Sequence, residues 1–203
     1  CLIIHFSCHM QDSRQTLLML IREATFTKEV LGAGATQIRK ANYAAHGIYA
    51  QAFASLSVGL ERIGKLCLIL DHYIDHDGAF PRFDYLKRIG HKLDLIQSLG
   101  EQIATRRRIE PRFLPALNHP VHSSILQVLR AYADGDRYSN INVLTGGRQR
   151  DDPIANWFDQ VDMLIFRTLI PERRKQRIVN DVAAAQQWMS DVSVFHIAET
   201  GEV

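Results

Sequence analysis

Apolar side chains recur along most of this chain at helical spacing. Residues 36–75 contain no proline, and Ile48, Phe53, Leu56, Leu60, Ile63, Cys67 and Leu70 follow one another at steps of three to five. That continuous stripe predicts one long helix. Gly47, Gly59 and Gly64 within it either weaken the helix or admit a close neighbour. Asp77-Gly78 and Pro81 end it. Asp84 is placed to cap a following helix. There, Leu86, Ile89, Leu93, Ile96, Leu99 and Ile103 recur at steps of three and four, a narrow seam suited to packing on another helix. The run closes on Arg106-Arg107-Arg108, cations that complement the negative end of a helix dipole.

After a loop holding Pro111 and Pro115, Pro120 suits a first helical turn. Val121, Ile125, Val128, Leu129 and Tyr132 form the buried face of that helix, and Gly135 ends it. A polar link with Arg137-Tyr138-Ser139-Asn140 and Gly146-Gly147 follows. Asp152-Pro153 then marks a helix start, a capping Asp before a Pro at the first helical position. Ile154, Trp157, Phe158, Val161, Leu164, Ile165 and Leu169 give this helix a wide apolar face up to Pro171. A last amphipathic segment carries Ile178, Val182, Met189, Val192 and His196, and residues 12–25 form an amphipathic helix near the N-terminus. No alternating strand pattern and no internal repeat occurs, so the fold class is all-α.

Composition narrows the function classes. The 203 residues suffice for one domain with a helical appendage. Hydrophobic residues at 46% and charged residues at 23% exclude disorder as the main state. A net charge of +2 gives no global attraction to nucleic acid or membrane, so any electrostatic footprint is local. The three cysteines, Cys1, Cys8 and Cys67, are odd in number, and Cys67 sits in an apolar run. The expectation is a buried, reduced thiol and a cytoplasmic location. No stretch reaches the roughly 18 to 20 apolar residues that span a bilayer, and the opening Cys1-Leu2-Ile3-Ile4 is shorter than a signal-peptide core.

Three pieces, in order, carry a family resemblance. They are Ser55-Leu56-Ser57-Val58-Gly59-Leu60-Glu61-Arg62-Ile63-Gly64-Lys65-Leu66, Tyr85-Leu86-Lys87-Arg88-Ile89-Gly90-His91-Lys92-Leu93, and Arg137-Tyr138-Ser139-Asn140-Ile141. Together this set, within residues 52–141, resembles the HEPN superfamily, α-helical domains common in prokaryotic defence and toxin systems. The resemblance implies a HEPN-like bundle over residues 36–145. A helical segment over 1–35 precedes it, and a helical pair over 146–203, kinked at Pro171, follows. It also implies a homodimer that binds RNA, a nucleotide or a partner protein, as in bacterial defence or toxin–antitoxin systems.

Ribonuclease members of that superfamily use an arginine followed four to six residues later by histidine. The histidine serves as general acid–base for attack by the 2′-hydroxyl, and the arginine stabilises charge on the phosphate. Here Arg137 is followed by Tyr138, Ser139, Asn140, Ile141, Asn142, Val143 and Leu144, with no histidine. The expectation is therefore a binding module without strong catalysis. A metal-independent endoribonuclease remains the alternative, with His91 or His46 joining Arg137. Arg39 and His46 enclose six residues and would lie about 20° apart on one helix. A purely structural interaction module is the third reading.

Physical chemistry adds to these candidates independently. Glu61 and Lys65 are an i, i+4 pair in the favourable orientation, either a surface pair or the organiser of a polar groove. Asp84, Arg88 and His91 would share the helix face opposite the Leu86/Leu93 seam, as a solvated stripe or as a cationic site of Arg88 with His91. Tyr138 and Asn140 complete a set of polar binding candidates around Arg137. Asp71, His72, Asp75 and His76 have chelating spacing but no distant ligand, so a polar helix end is expected, with no metal and no cofactor. Arg106-Arg107-Arg108 with Arg112, Arg148 with Arg150, and Arg173-Arg174-Lys175 with Arg177 are basic clusters that hold phosphates only if they converge.

Overall fold

The computed structural model describes the backbone of residues 2–110, 119–147 and 151–200, and the side chains of residues 14–110, 119–138, 141–147 and 151–189. Among the described residues every regular element is helical, and no helix is long and apolar enough to cross a membrane.

Helix α1 (Leu2–Lys40) extends well beyond residues 12–25 and runs antiparallel along α2 (His46–Asp75). The single helix expected across residues 36–75 is broken at 41–45, where neither proline nor glycine occurs. Asn42 makes the turn: its Oδ1 accepts from the Ala44 N–H at 3.1 Å and its carbonyl from the Ala45 N–H at 3.0 Å. A side chain that bonds its own downstream backbone overrides apolar periodicity here. Glycine sets the distance between the two helices. A Cβ on Gly59 would lie 2.6 Å from Leu31 Cγ, and one on Gly34 2.7 Å from Leu56 Cγ.

The opposite side of α2 meets α4 and α5, so α2 buries two faces, through Tyr49, Ala52, Phe53, Ser57, Gly59, Leu66 and Leu68. The predicted stripe falls partly between those faces. Ile63, Cys67 and Leu70 are exposed, and the expected buried thiol at Cys67 is corrected accordingly.

The segment expected as one helix from Asp84 to the arginines is two. Helix α3 (Phe83–Ile89) begins after Arg82, with Asp84 inside its first turn and not at the cap. It ends at Gly90, whose φ of 64° suits glycine. Helix α4 (Leu93–Arg106) follows. The apolar seam survives the break: Ile89, Leu93 and Ile96 are buried, with Leu86, Leu99 and Ile103 packed beside Leu68, Ile89 and Ile96.

Helix α5 (Pro120–Asp134) starts and stops as its sequence predicts. Pro120 opens it, His119 Nδ1 accepts from the Val121 N–H at 3.3 Å, and Gly135 closes it. The polar link expected after it is a 3-10 turn (Asp136–Tyr138) and a short helix α6 (Ser139–Leu144). Asp152 caps α7 (Pro153–Trp157) by accepting from the Ile154 N–H at 2.8 Å. A π-helical turn (Phe158–Asp162) joins α7 to α8 (Met163–Thr168), and α9 (Glu172–Thr200) follows Pro171. The main core gathers Tyr49 and Phe53 of α2, Leu93 of α4, Val128, Leu129 and Tyr132 of α5, and Trp157 and Val161.

The π turn widens the helix by one residue and marks a site of local constraint. It puts Asp162 within reach of two donors. Trp157 Nε1 donates to Asp162 Oδ1 at 3.0 Å and the Tyr43 hydroxyl to Oδ2 at 2.5 Å. Desolvation and the Asp162 carboxylate push the Tyr43 phenol far above its ordinary pKa. The 41–45 turn is thereby fastened to the far end of the core.

Candidate functional site

The middle of α2, the α3–α4 break and the turn after α5 meet at a cavity of about 460 Å³. Glu61, Ser57 and Arg62 enter from α2, His91 and Leu93 from the break and the start of α4, and Tyr132 and Arg137 from the end of α5 and its turn. Each position has a local cause. Ser57 is buried and donates to the Leu129 carbonyl at 3.2 Å, joining α2 to α5. Gly90 ends α3, so His91 lies in the three-residue link Gly90-His91-Lys92 and not on a helix face. The expected common face of Asp84, Arg88 and His91 is therefore absent. Gly135 closes α5, so the following 3-10 turn carries Arg137 back toward α2.

His91 is 85% exposed, yet its Nδ1 lies 2.9 Å from both Glu61 carboxylate oxygens. Lys65 Nζ donates to Glu61 Oε1 at 2.7 Å. Burial raises the Glu61 carboxyl, and the hydrogen bonds from Lys65 and His91 outweigh it, leaving Glu61 below its ordinary pKa. An ionised carboxylate only accepts, so Nδ1 carries a proton. In the neutral ring Nε2 then keeps its lone pair. Arg62 is already committed, with Nε and Nη2 each donating to the Glu23 carboxylate at 2.8 Å and its guanidinium 4.5 Å from the Phe26 ring. Arg137 is exposed and lies over the Tyr138 ring at 4.9 Å.

Arg137 and Tyr132 also line a second cavity of about 250 Å³, with His46, Asp136, Asp152 and Ile154. Tyr132 is held there by its hydroxyl, which donates to the Ala50 carbonyl at 3.1 Å. His46 thus shares a cavity with Arg137. It does not share a helix face with Arg39: Arg39 ends α1, His46 begins α2, and the turn at 41–45 separates them. Arg39 lines neither cavity.

Of the other candidates, Arg88 is exposed outside the lining, its Nε donating to the Asp84 carbonyl at 3.3 Å. The side chain of Asn140 lies outside the described residues, as do Arg112, Arg148 and Arg150. Asp71 and Asp75 are engaged: Arg106 and Arg107 each pair with both carboxylates, over 2.5 to 2.8 Å. His72 and His76 stack at 3.7 Å between ring centroids. Among the described residues no cluster of three potential ligands could hold a metal. This quartet absorbs Arg106 and Arg107, two members of one predicted basic cluster. Sequence reasoning missed Ser57 and Tyr132 as lining residues because both carry ordinary core spacing.

Chemically, the larger cavity offers a guanidinium for an anion and an imidazole nitrogen held by a carboxylate, with apolar wall from Val58, Leu93 and Tyr132. Arginine suits phosphate or carboxylate through paired N–H donors. In comparisons with known proteins, the chain matches no family model, no curated protein and no solved structure.

Proposed function

We propose that the chain is a HEPN-like helical module that binds a phosphate-bearing ligand, RNA or a nucleotide, in the cavity formed by Glu61, His91 and Arg137. The observation that carries this reading is that residues 61, 91 and 137, distant in sequence, line one cavity that holds both an exposed arginine and a carboxylate-held histidine. Tyr138, under the Arg137 guanidinium, extends the binding edge, and Lys65 acts by holding Glu61. The protein works as a homodimer, in a reducing cytoplasm, alone or with a partner protein of a defence or toxin–antitoxin system. Filter binding of single-stranded RNA tests it: Arg137→Ala reduces retention at least tenfold, and equal retention by both proteins refutes the site.

A second reading has its own support. The Glu61–His91 hydrogen bonds set the imidazole as a carboxylate–histidine pair sets a general base. With Arg137 stabilising the phosphate, His91 would supply the proton transfer that the residues after Arg137 lack. The reaction is metal-independent transesterification, the 2′-oxygen attacking phosphorus and the 5′-oxygen leaving. His91→Ala then abolishes cleavage of total RNA while RNA binding persists. Unchanged cleavage in His91→Ala removes this reading and leaves the binding one intact.

A further inference from the structure

The smaller cavity adjoins the Arg137 site and has a different chemistry. It encloses about 250 Å³ between the start of α2, the turn after α5 and the start of α7. Arg137 and Tyr132 line it and the larger cavity alike, so the guanidinium belongs to both walls. Charge separates the two spaces. In the larger one the carboxylate of Glu61 is held by Lys65 and His91. The smaller one sets two carboxylates, Asp136 and Asp152, beside His46 and Arg137. Asp136 is buried. Asp152 is exposed, and its Oδ1 accepts from the Ile154 N–H at 2.8 Å, while Oδ2 has no partner among the described residues. Pro153 and Ile154 give the same space an apolar wall. An ionised carboxylate only accepts hydrogen bonds. A phosphate is therefore repelled from this cavity and held at the larger one, while a flat ring that donates N–H bonds is suited to it.

We infer that the smaller cavity is a base-reading subsite: it takes a nucleobase with an exocyclic amino group while the adjoining phosphate rests on Arg137. The inference rests on the reading of Arg137 as a phosphate ligand and adds the class of base. Cytosine donates to a carboxylate through its N4 amino group, and adenine through N6. Uracil presents a carbonyl oxygen where cytosine has the amino group. Set against Asp152, that oxygen leaves two acceptors facing each other and both unpaired. The shared Arg137 wall also favours a strand over a single nucleotide. One nucleoside occupies the smaller cavity, its phosphate meets the guanidinium, and the next nucleoside reaches the larger cavity.

Fluorescence anisotropy of the full chain with short cytidine-only and uridine-only RNAs tests the subsite at one salt concentration. The two RNAs differ in each base by an amino-for-carbonyl exchange. The cytidine RNA binds about fivefold tighter or more. Two variants alter the subsite without touching Arg137. Gly47 lines the cavity and a Cβ there meets nothing within 4 Å, so Gly47→Leu fills open space with a better helix former. Asp152→Asn keeps a capping oxygen for α7 and adds an amide donor that suits the uracil carbonyl. Gly47→Leu abolishes the preference and Asp152→Asn lowers or reverses it, both with unchanged circular dichroism. Equal affinity of the wild-type chain for both RNAs, with binding still lost in Arg137→Ala, overturns the subsite and leaves the Arg137 reading standing. No binding, or binding that Arg137→Ala leaves unchanged, overturns that reading and the subsite with it. A preference that survives both Gly47→Leu and Asp152→Asn places the base elsewhere and overturns the subsite alone.

Discussion

His91 Nδ1 lies 2.9 Å from both carboxylate oxygens of Glu61, a residue thirty positions away on another helix. Most of the histidine is in solvent, so the contact adds little stability. Its effect is orientation: it fixes one ring nitrogen and leaves the other outside the contact with the carboxylate. Glu61→Gln removes the charge that holds the proton on Nδ1. The His91 ring then loses its preferred Nδ1–H tautomer, read from its ring nitrogen and carbon shifts by NMR, because the amide no longer offers two accepting oxygens. An unchanged tautomer contradicts the contact.

The same carboxylate gives a stability signature. Its folded pKa is below the ordinary value. Its contribution is therefore complete above the ordinary carboxylate range and is lost as pH falls through the lowered folded value. Urea melts between pH 7 and 3 lose about 1 kcal/mol or less on this account, since the pair is partly solvated. Glu61→Gln flattens that part of the profile.

Two glycines separate packing from propensity. A Cβ on Gly64 overlaps Ile96 Cγ2, while one on Gly100 meets nothing within 4 Å. Gly64→Ala forces α2 from α4 and destabilises by about 1–3 kcal/mol. Gly100→Ala, in the interior of α4, stabilises by about 0.5–1 kcal/mol. Thermal or urea denaturation of both variants checks the opposite signs.

Tyr43 connects the α1–α2 turn to the π turn through Asp162. Tyr43→Phe keeps the ring contacts with Tyr49 and Phe158 and removes only the hydroxyl. The loss is about 1 kcal/mol for a partly exposed charged hydrogen bond. Faster amide exchange at residues 41–48 accompanies it. Protection unchanged there argues that the turn is held by Asn42 alone.

Where residues carry their own boundary signals, the fold is legible in sequence. Pro120, Gly135 and Asp152-Pro153 delimit helices because caps and fixed φ act locally, and the Leu86-to-Ile103 seam survives as a packing line even though Gly90 divides it. The break at Asn42 is not legible from apolar spacing, since an Asx turn inside a helix-compatible stretch wins through backbone hydrogen bonds alone. The π turn is equally hidden, because residues 153–168 read as uninterrupted helix and only the convergence of Tyr43 and Trp157 on Asp162 distinguishes it. Exposure of Cys67 and Ile63 follows from α2 burying two faces, which no single stripe encodes. Glu61 with Lys65 is visible as an i, i+4 pair. The approach of His91 to Glu61 needs the α3–α4 break, and the pairing of Asp71 and Asp75 with Arg106 and Arg107 needs the tertiary fold.

The most direct test of the cavity is an NMR titration with a short single-stranded RNA, following the His91 ring and the Nε–H signals of Arg137 and Arg88. The account predicts saturable shifts at His91 and Arg137, abolished by Arg137→Ala, with Arg88 unmoved. Shifts confined to Arg173, Arg174 and Arg177, or none at His91 and Arg137 at saturating RNA, would contradict it.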